Sequence, residues 1–129
     1  MDAMKILVAE DEVEFRQTLG VFLSKHGYCP ICVEDGYQAL DFAIRERPDL
    51  LLLDVHMPAG DGFGVHERVV KHPELTAKPV IFMTHDPSPE VERIAEEHGA
   101  IALMHKPFDL VDLLAKIKSA LDHGVAEAA

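Results

Sequence analysis

Leu50-Leu51-Leu52-Leu53-Asp54-Val55-His56-Met57-Pro58-Ala59-Gly60-Asp61-Gly62 is the stretch on which the fold turns. Its apolar run is short and lies between Pro48 and Pro58, so it reads as a strand buried on both faces with Asp54 at its carboxyl end. Open α/β sheets hold their ligands at that edge. A carboxylate delivered there by an apolar run is therefore a candidate functional group.

Outward from this strand, apolar spacing alternates between the two regular periods. Toward the amino terminus, Lys5 to Ala9 reads as a strand and Glu12 to His26 as a helix with Phe15, Leu19, Phe22 and Leu23 on one side, closed by Gly27. Tyr28 to Val33 follows as a strand and Gly36 to Arg47 as a helix, and Pro48 separates it from the strand Asp49 to Asp54. Toward the carboxyl terminus come a helix from Phe63 to His72, a strand from Pro79 to Thr84, a helix from Pro89 to His98 and a strand from Ile101 to Met104. A last helix, capped by Asp109 or its neighbour, carries Leu110, Val111, Leu113, Leu114, Ile117 and Leu121 and is expected to fade at His123-Gly124. Residues 1–124 form the expected domain and residues 125–129 a tail. Strands alternating with helices imply right-handed crossovers and a parallel sheet covered on both faces. The chain is too short for an eightfold barrel, which leaves an open doubly wound α/β sheet of five strands and five helices.

Composition narrows the function classes. With 129 residues, 48% of them hydrophobic, the chain suits one domain with an ordinary core. A net charge of −11 disfavours nucleic acid and anionic lipid and favours cations. No apolar stretch approaches the roughly 20 residues of a membrane span, and Met1 to Lys5 lacks the pattern of a signal peptide, so a cytoplasmic protein is expected. Cys29-Pro30-Ile31-Cys32 has the spacing of a redox pair. Residues three apart on a strand point to opposite faces, however, and the two sulfurs are not expected to meet. The histidines show no pair four apart on one helix, which disfavours zinc. His26, His72, His98 and His123 fall near expected helix ends, where positive charge is favourable.

In a doubly wound sheet the strand carboxyl ends share one edge, so the residues that follow each strand can be collected there. They are Glu10, Asp11 and Glu12 after the first strand, Asp54 at the third, Thr84 at the fourth, and Lys106-Pro107 after the fifth. Converging carboxylates repel one another unless a cation sits among them, and hard oxygen ligands suit Mg²⁺. A carboxylate can also act as the nucleophile in phosphoryl transfer, provided a cation, a hydroxyl and an ammonium stabilise the peripheral oxygens. Asp54, Thr84 and Lys106 match those roles. Taken singly, Asp54 could be a turn residue, Glu10 to Glu12 an acidic first helical turn, Thr84 a strand-end residue and Lys106 a solvated charge. Their joint placement carries the functional reading.

In order and spacing, Lys5-Ile6-Leu7-Val8-Ala9-Glu10-Asp11-Glu12, Leu53-Asp54-Val55-His56-Met57-Pro58, Asp61-Gly62-Phe63 and His105-Lys106-Pro107-Phe108 resemble a response regulator receiver domain of two-component signalling. The resemblance covers essentially the whole chain. It implies the strand order 2-1-3-4-5 and a phosphoryl group accepted on Asp54 from a histidine kinase or histidine phosphotransfer protein. It also implies Mg²⁺ held by Asp11, Asp54 and the main-chain carbonyl of His56, with Glu10 holding a metal-bound water. Thr84 and Lys106 would engage the phosphoryl oxygens, and a cis bond between Lys106 and Pro107 is compatible. The face of the fourth helix, fifth strand and fifth helix would contact a downstream protein, and phosphorylation could drive homodimerisation through it. The resemblance implies a phosphoacceptor regulator that assists its own phosphotransfer and autodephosphorylation, not an enzyme acting on other substrates.

Three positions depart from that family's usual pattern. Glu10 stands where an aspartate is usual, which bears on metal affinity. His85 follows the hydroxyl residue where a small side chain is usual. Leu103 replaces the usual aromatic three residues before the lysine, so an aromatic rotamer switch is not expected there. His56 and His85 should flank Asp54, and protonation of these imidazoles is expected to modulate the phosphoryl lifetime near neutral pH. Two other classes compete with the switch. One is a receiver-shaped module that binds constitutively, without phosphorylation. The other is an aspartate-nucleophile phosphatase, which normally needs a second aspartate where His56 stands.

Overall fold

Side chains alternate across a strand, so a run of leucines in a sheet must bury half its members on each side. In the computed structural model, which describes residues 3–128, Leu51 and Leu53 lie in one apolar cluster and Leu50 and Leu52 in the other, all of them fully buried. The elements follow in strict alternation: β1 (Lys5–Ala9), α1 (Val13–Lys25), β2 (Cys29–Val33), α2 (Gly36–Glu46), β3 (Leu50–Asp54), α3 (Gly62–Val69), β4 (Val80–Thr84), α4 (Pro89–Glu97), β5 (Ala102–His105) and α5 (Leu110–Ala128). All strand pairs are parallel, in the order β2-β1-β3-β4-β5. The doubly wound five-stranded sheet expected from the sequence is thus the fold. One cluster joins the sheet to α2, α3 and α4 through Ala39, Val65 and Ala95, and the other joins it to α1 and α5 through Leu19, Leu23, Leu113 and Ile117.

Several boundaries differ from the sequence reading. Helix α3 ends at Val69 and does not reach His72, because Pro73 disfavours helical backbone before it. Strand β5 is displaced by one residue: His105 pairs with Thr84, and Ile101, half exposed, precedes the strand. Helix α5 does not fade at His123-Gly124 but runs to Ala128, so residues 125–128 of the expected tail are helical; Ala129 lies outside the described residues. One glycine costs about 1 kcal/mol, which the helix formers Ala126, Glu127 and Ala128 can absorb. His123 accordingly lies inside the helix rather than at its end.

The two cysteines are free and exposed, as expected for strand residues on opposite faces. Cys32 lies toward α1, its Sγ 3.2 Å from where a Cβ on Gly20 would stand. Cys29 pairs with Lys5, whose ammonium reaches Glu46 of α2 on the other side.

Candidate functional site

The end of β3 is pinned on all sides before any side chain is considered. Val55 donates its N–H to Met83 O at 2.8 Å, and Gly62 donates to Val55 O at 3.0 Å. Asp61 caps α3 by accepting from Gly64 N at 2.7 Å, which turns the chain back toward the strand. Behind this turn α3 begins on Gly62, where a Cβ would stand 2.4 Å from the carbonyl oxygen of Asp54. Close backbone approach therefore requires glycine there. The neighbouring loop repeats the device: a Cβ on Gly36 would lie 2.1 Å from Gly60 O.

On this frame the carboxylate of Asp54, 4% exposed, accepts from the backbone N–H of His56 at 3.1 Å through Oδ1 and from Lys106 Nζ at 2.8 Å through Oδ2. The same ammonium donates to Oε1 of Glu10, whose side chain is fully buried and whose Oε2 accepts from Glu12 N at 3.0 Å. Lys106 reaches this position because its own N–H bonds to Thr84 O at 2.8 Å, tying the ends of β4 and β5. The Lys106–Pro107 peptide that follows is cis. Burial alone would lower the lysine's pKa, but hydrogen bonds and charge from Asp54 and Glu10 outweigh it, and the pKa lies above its ordinary value. The ammonium therefore stays charged at neutral pH.

Glu10, Asp11 and Asp54 each bring a carboxylate oxygen to a spot where these atoms lie within 4.8 Å of one another, the one such trio of His, Cys, Asp or Glu side chains among the described residues. Asp11 is exposed and Glu10 and Asp54 are buried, so the trio opens to solvent on one side. Three hard oxygen donors beside an ordered backbone fit a small divalent cation. Thr84 is fully buried, and its Oγ1 accepts from Asp86 N at 2.9 Å. His56 is exposed, with Nε2 4.0 Å from Asp86 Oδ2, and His85 is exposed as well. Leu103 is half-buried and packs with the cluster around Phe82, its neighbour across β4 and β5.

The strand ends thus bring together Glu10, Asp11, Asp54 and Lys106, with Thr84 on the adjacent strand end, as the sequence order implied. Two groups at the site carry no signal in the sequence. Phe15 of α1 lies 5.2 Å below Lys106 Nζ, a cation–π contact set by how α1 crosses the sheet. Asp86 bridges toward both Thr84 and His56; backbone and side-chain hydrogen bonds from Ser88 hold its carboxyl below the usual carboxylate range, and His56 adds to the effect. Among the described residues, no helix is long and apolar enough to cross a membrane.

The strand ends of this doubly wound sheet gather a buried aspartate, two further carboxylates, a hydroxyl and an ammonium into an acidic pocket at one edge. The response regulator receiver domain family matches residues 6–118. The chain is 34% identical over 125 residues to the transcriptional regulatory protein YxdJ of Bacillus subtilis (strain 168), covering 97% of this chain and 53% of that protein. Among solved structures it resembles the chemotaxis protein CheY4 of Vibrio cholerae, with 29% identity, a TM-score of 0.86, and coverage of 92% of this chain and 99% of that one. It also resembles a CheY-like receiver domain protein of Methanospirillum hungatei JF-1, with 26% identity, a TM-score of 0.90, and coverage of 98% and 99%. The chain belongs to the response regulator receiver domain family of two-component systems. It spans about half the length of the curated relative it matches.

Proposed function

We propose that this receiver domain is a phosphorylatable switch in which Asp54 is the phosphoacceptor and a phosphohistidine on a kinase or phosphotransfer protein is the donor. A carboxylate oxygen of Asp54 forms the new P–O bond, the N–P bond of the donor breaks, and the imidazole leaves with the electron pair. The observation that carries this reading is the buried Asp54 carboxylate, aimed by the His56 N–H and paired with Lys106, at the carboxyl edge of β3. Lys106 is placed to hold a peripheral phosphoryl oxygen, and the Thr84 hydroxyl, now serving Asp86 N, to supply another contact. Glu10, Asp11, Asp54 and the main-chain carbonyl of His56 are the groups that would hold Mg²⁺, Glu10 through a water. The ion would supply charge neutralisation at the phosphoryl oxygens. Residues 1–124 make up the switch, and its output is protein contact through α4, β5 and α5, where phosphorylation-dependent pairing with a second copy is one form such contact would take.

The expected result is a phosphoryl adduct by intact mass after incubation with acetyl phosphate and Mg²⁺, abolished in Asp54→Asn. No adduct from acetyl phosphate or from any histidine kinase would favour a constitutive interaction module. His56 and His85 belong to the same proposal as modulators of the phosphoryl lifetime over about pH 6 to 8: both side chains are exposed beside the strand ends that carry the acceptor. Dephosphorylation of His56→Ala and His85→Ala should lose part of the wild-type pH dependence over that range, and unchanged profiles would remove both from the mechanism.

A further inference from the structure

Outside the acidic pocket, two imidazoles join α3 to α4. His66 of α3 is 6% exposed, and the side chain of His98, the C-cap of α4, is 11% exposed. Their Nδ1 atoms lie 2.8 Å apart. A contact of this length between ring nitrogens requires one to carry a proton and the other a free lone pair. Phe63 stacks on His98 with centroids 5.2 Å apart, and Phe82 meets each ring edge-on at 5.7 Å, so the pair sits in an aromatic enclosure on the sheet. The charged groups lining the adjoining cleft are Glu67 of α3, Lys78 ahead of β4 and Glu97 of α4. Of these, Glu67 Oε1 lies 3.7 Å from Nε2 of His98.

We propose that the His66–His98 contact is an acid-released latch between α3 and the C-terminal end of α4. The two rings are not equivalent toward protons. With His98 as the donor, its Nδ1–H points at the Nδ1 lone pair of His66 while its Nε2 faces Glu67 at the end of α4. A second proton would have to sit on Nδ1 of His66, setting two N–H groups against each other at 2.8 Å inside the enclosure. The closed latch therefore excludes it, and an opened latch, with His66 in water, accepts it. Burial and the charge on His98 agree, lowering His66 from 6.5 to about 4. A histidine whose pKa is depressed in the closed form contributes fully above about 6.5 and loses that contribution as the pH falls toward about 4. Because α4 is part of the face proposed for output, acidification would loosen that face independently of Asp54. The latch itself assumes nothing about phosphorylation, so either proposal can fail alone.

Amide exchange of α4 tests it. Protection of α4 amides, corrected for intrinsic exchange, should fall by up to about tenfold per pH unit between about pH 6 and 4, the dependence for uptake of one proton. In His66→Phe, which keeps a ring but has no ring nitrogen, that dependence should disappear. Protection in α4 that ignores pH in the wild type, or a dependence that survives in His66→Phe, would overturn the latch. Imidazole ¹⁵N spectra of the unmodified protein decide it even if the variant misfolds. One protonated and one bare Nδ1 at neutral pH, with His66 titrating well below 6.5, is the expected result; two rings titrating together near that value would refute it.

Discussion

Lys106→Met should lower stability by about 3 to 5 kcal/mol in metal-free buffer, although it replaces a polar side chain with an apolar one of similar length. Lys106 is the cation shared by two carboxylates that have almost no access to water, Glu10 at 0% and Asp54 at 4%. Removing one partner of a buried ion pair leaves the other charge desolvated and uncompensated, and the cost has that magnitude. For a domain of this size it corresponds to a fall in Tm of roughly 10 to 20 °C. Two further measurements separate charge from packing. Adding Glu10→Gln to Lys106→Met should restore part of the loss, because one of the stranded charges is gone, whereas a packing defect over Phe15 would stay. Mg²⁺ should raise the Tm of Lys106→Met more than that of the wild type if the Glu10, Asp11 and Asp54 carboxylates hold a divalent ion. Equal shifts in both proteins would count against that site.

Gly62→Ala tests the backbone side of the same pocket, and there two effects oppose each other. Gly62 opens α3 with backbone that other residues can adopt, so propensity alone favours alanine by up to about 1 kcal/mol. The added Cβ, however, would stand 2.4 Å from Asp54 O and 3.0 Å from Asp54 C, and these are backbone atoms of a strand bonded on both sides. Overpacking against rigid backbone costs about 1 to 3 kcal/mol or more, so the steric term wins and net destabilisation of about 2 kcal/mol is expected. With Asp54 as the phosphoacceptor proposed above, phosphoryl uptake should fall with it, because any relaxation moves Asp54. Gly64→Ala is the control two residues on. Its Cβ meets only Asp61 Oδ1, at 3.4 Å, so the propensity term should prevail and stability should stay level or rise. Chemical denaturation of the pair gives the two signs directly.

Much of this architecture was legible along the chain, and the reason differs by element. The strands are short and apolar, and β3 and β4 lie between prolines, so β1, β3 and β4 stand out by composition, and Asp54, Thr84 and Lys106 follow from counting to the ends of strands. Boundaries were less legible where two signals compete, as at the end of α3, where helical spacing runs on to His72 but Pro73 stops the backbone early. The carboxyl end of α5 erred in the opposite direction, since Gly124 reads as a stop signal yet is only a modest penalty inside a long helix. Leu103 is conspicuous by comparison with the family pattern. What stands in the aromatic cluster beside it, Phe63, Phe82, His66 and His98, comes from three separate elements and has no local signature.

Taken alone, the sequence determined the class of fold, the edge of the sheet on which the candidate site lies and the residue types available there. Those properties depend on hydrophobic period and chain order, which are local and one-dimensional. Only the tertiary structure decided that Glu10 shares the Lys106 ammonium with Asp54, that Gly62 is held against the Asp54 carbonyl, and that His66 meets His98 across 32 positions of sequence. Each of those contacts depends on angstrom-scale separations between elements far apart in the chain. Such separations are set by how the two helical layers pack on the twisted sheet, and no periodicity along the chain encodes them.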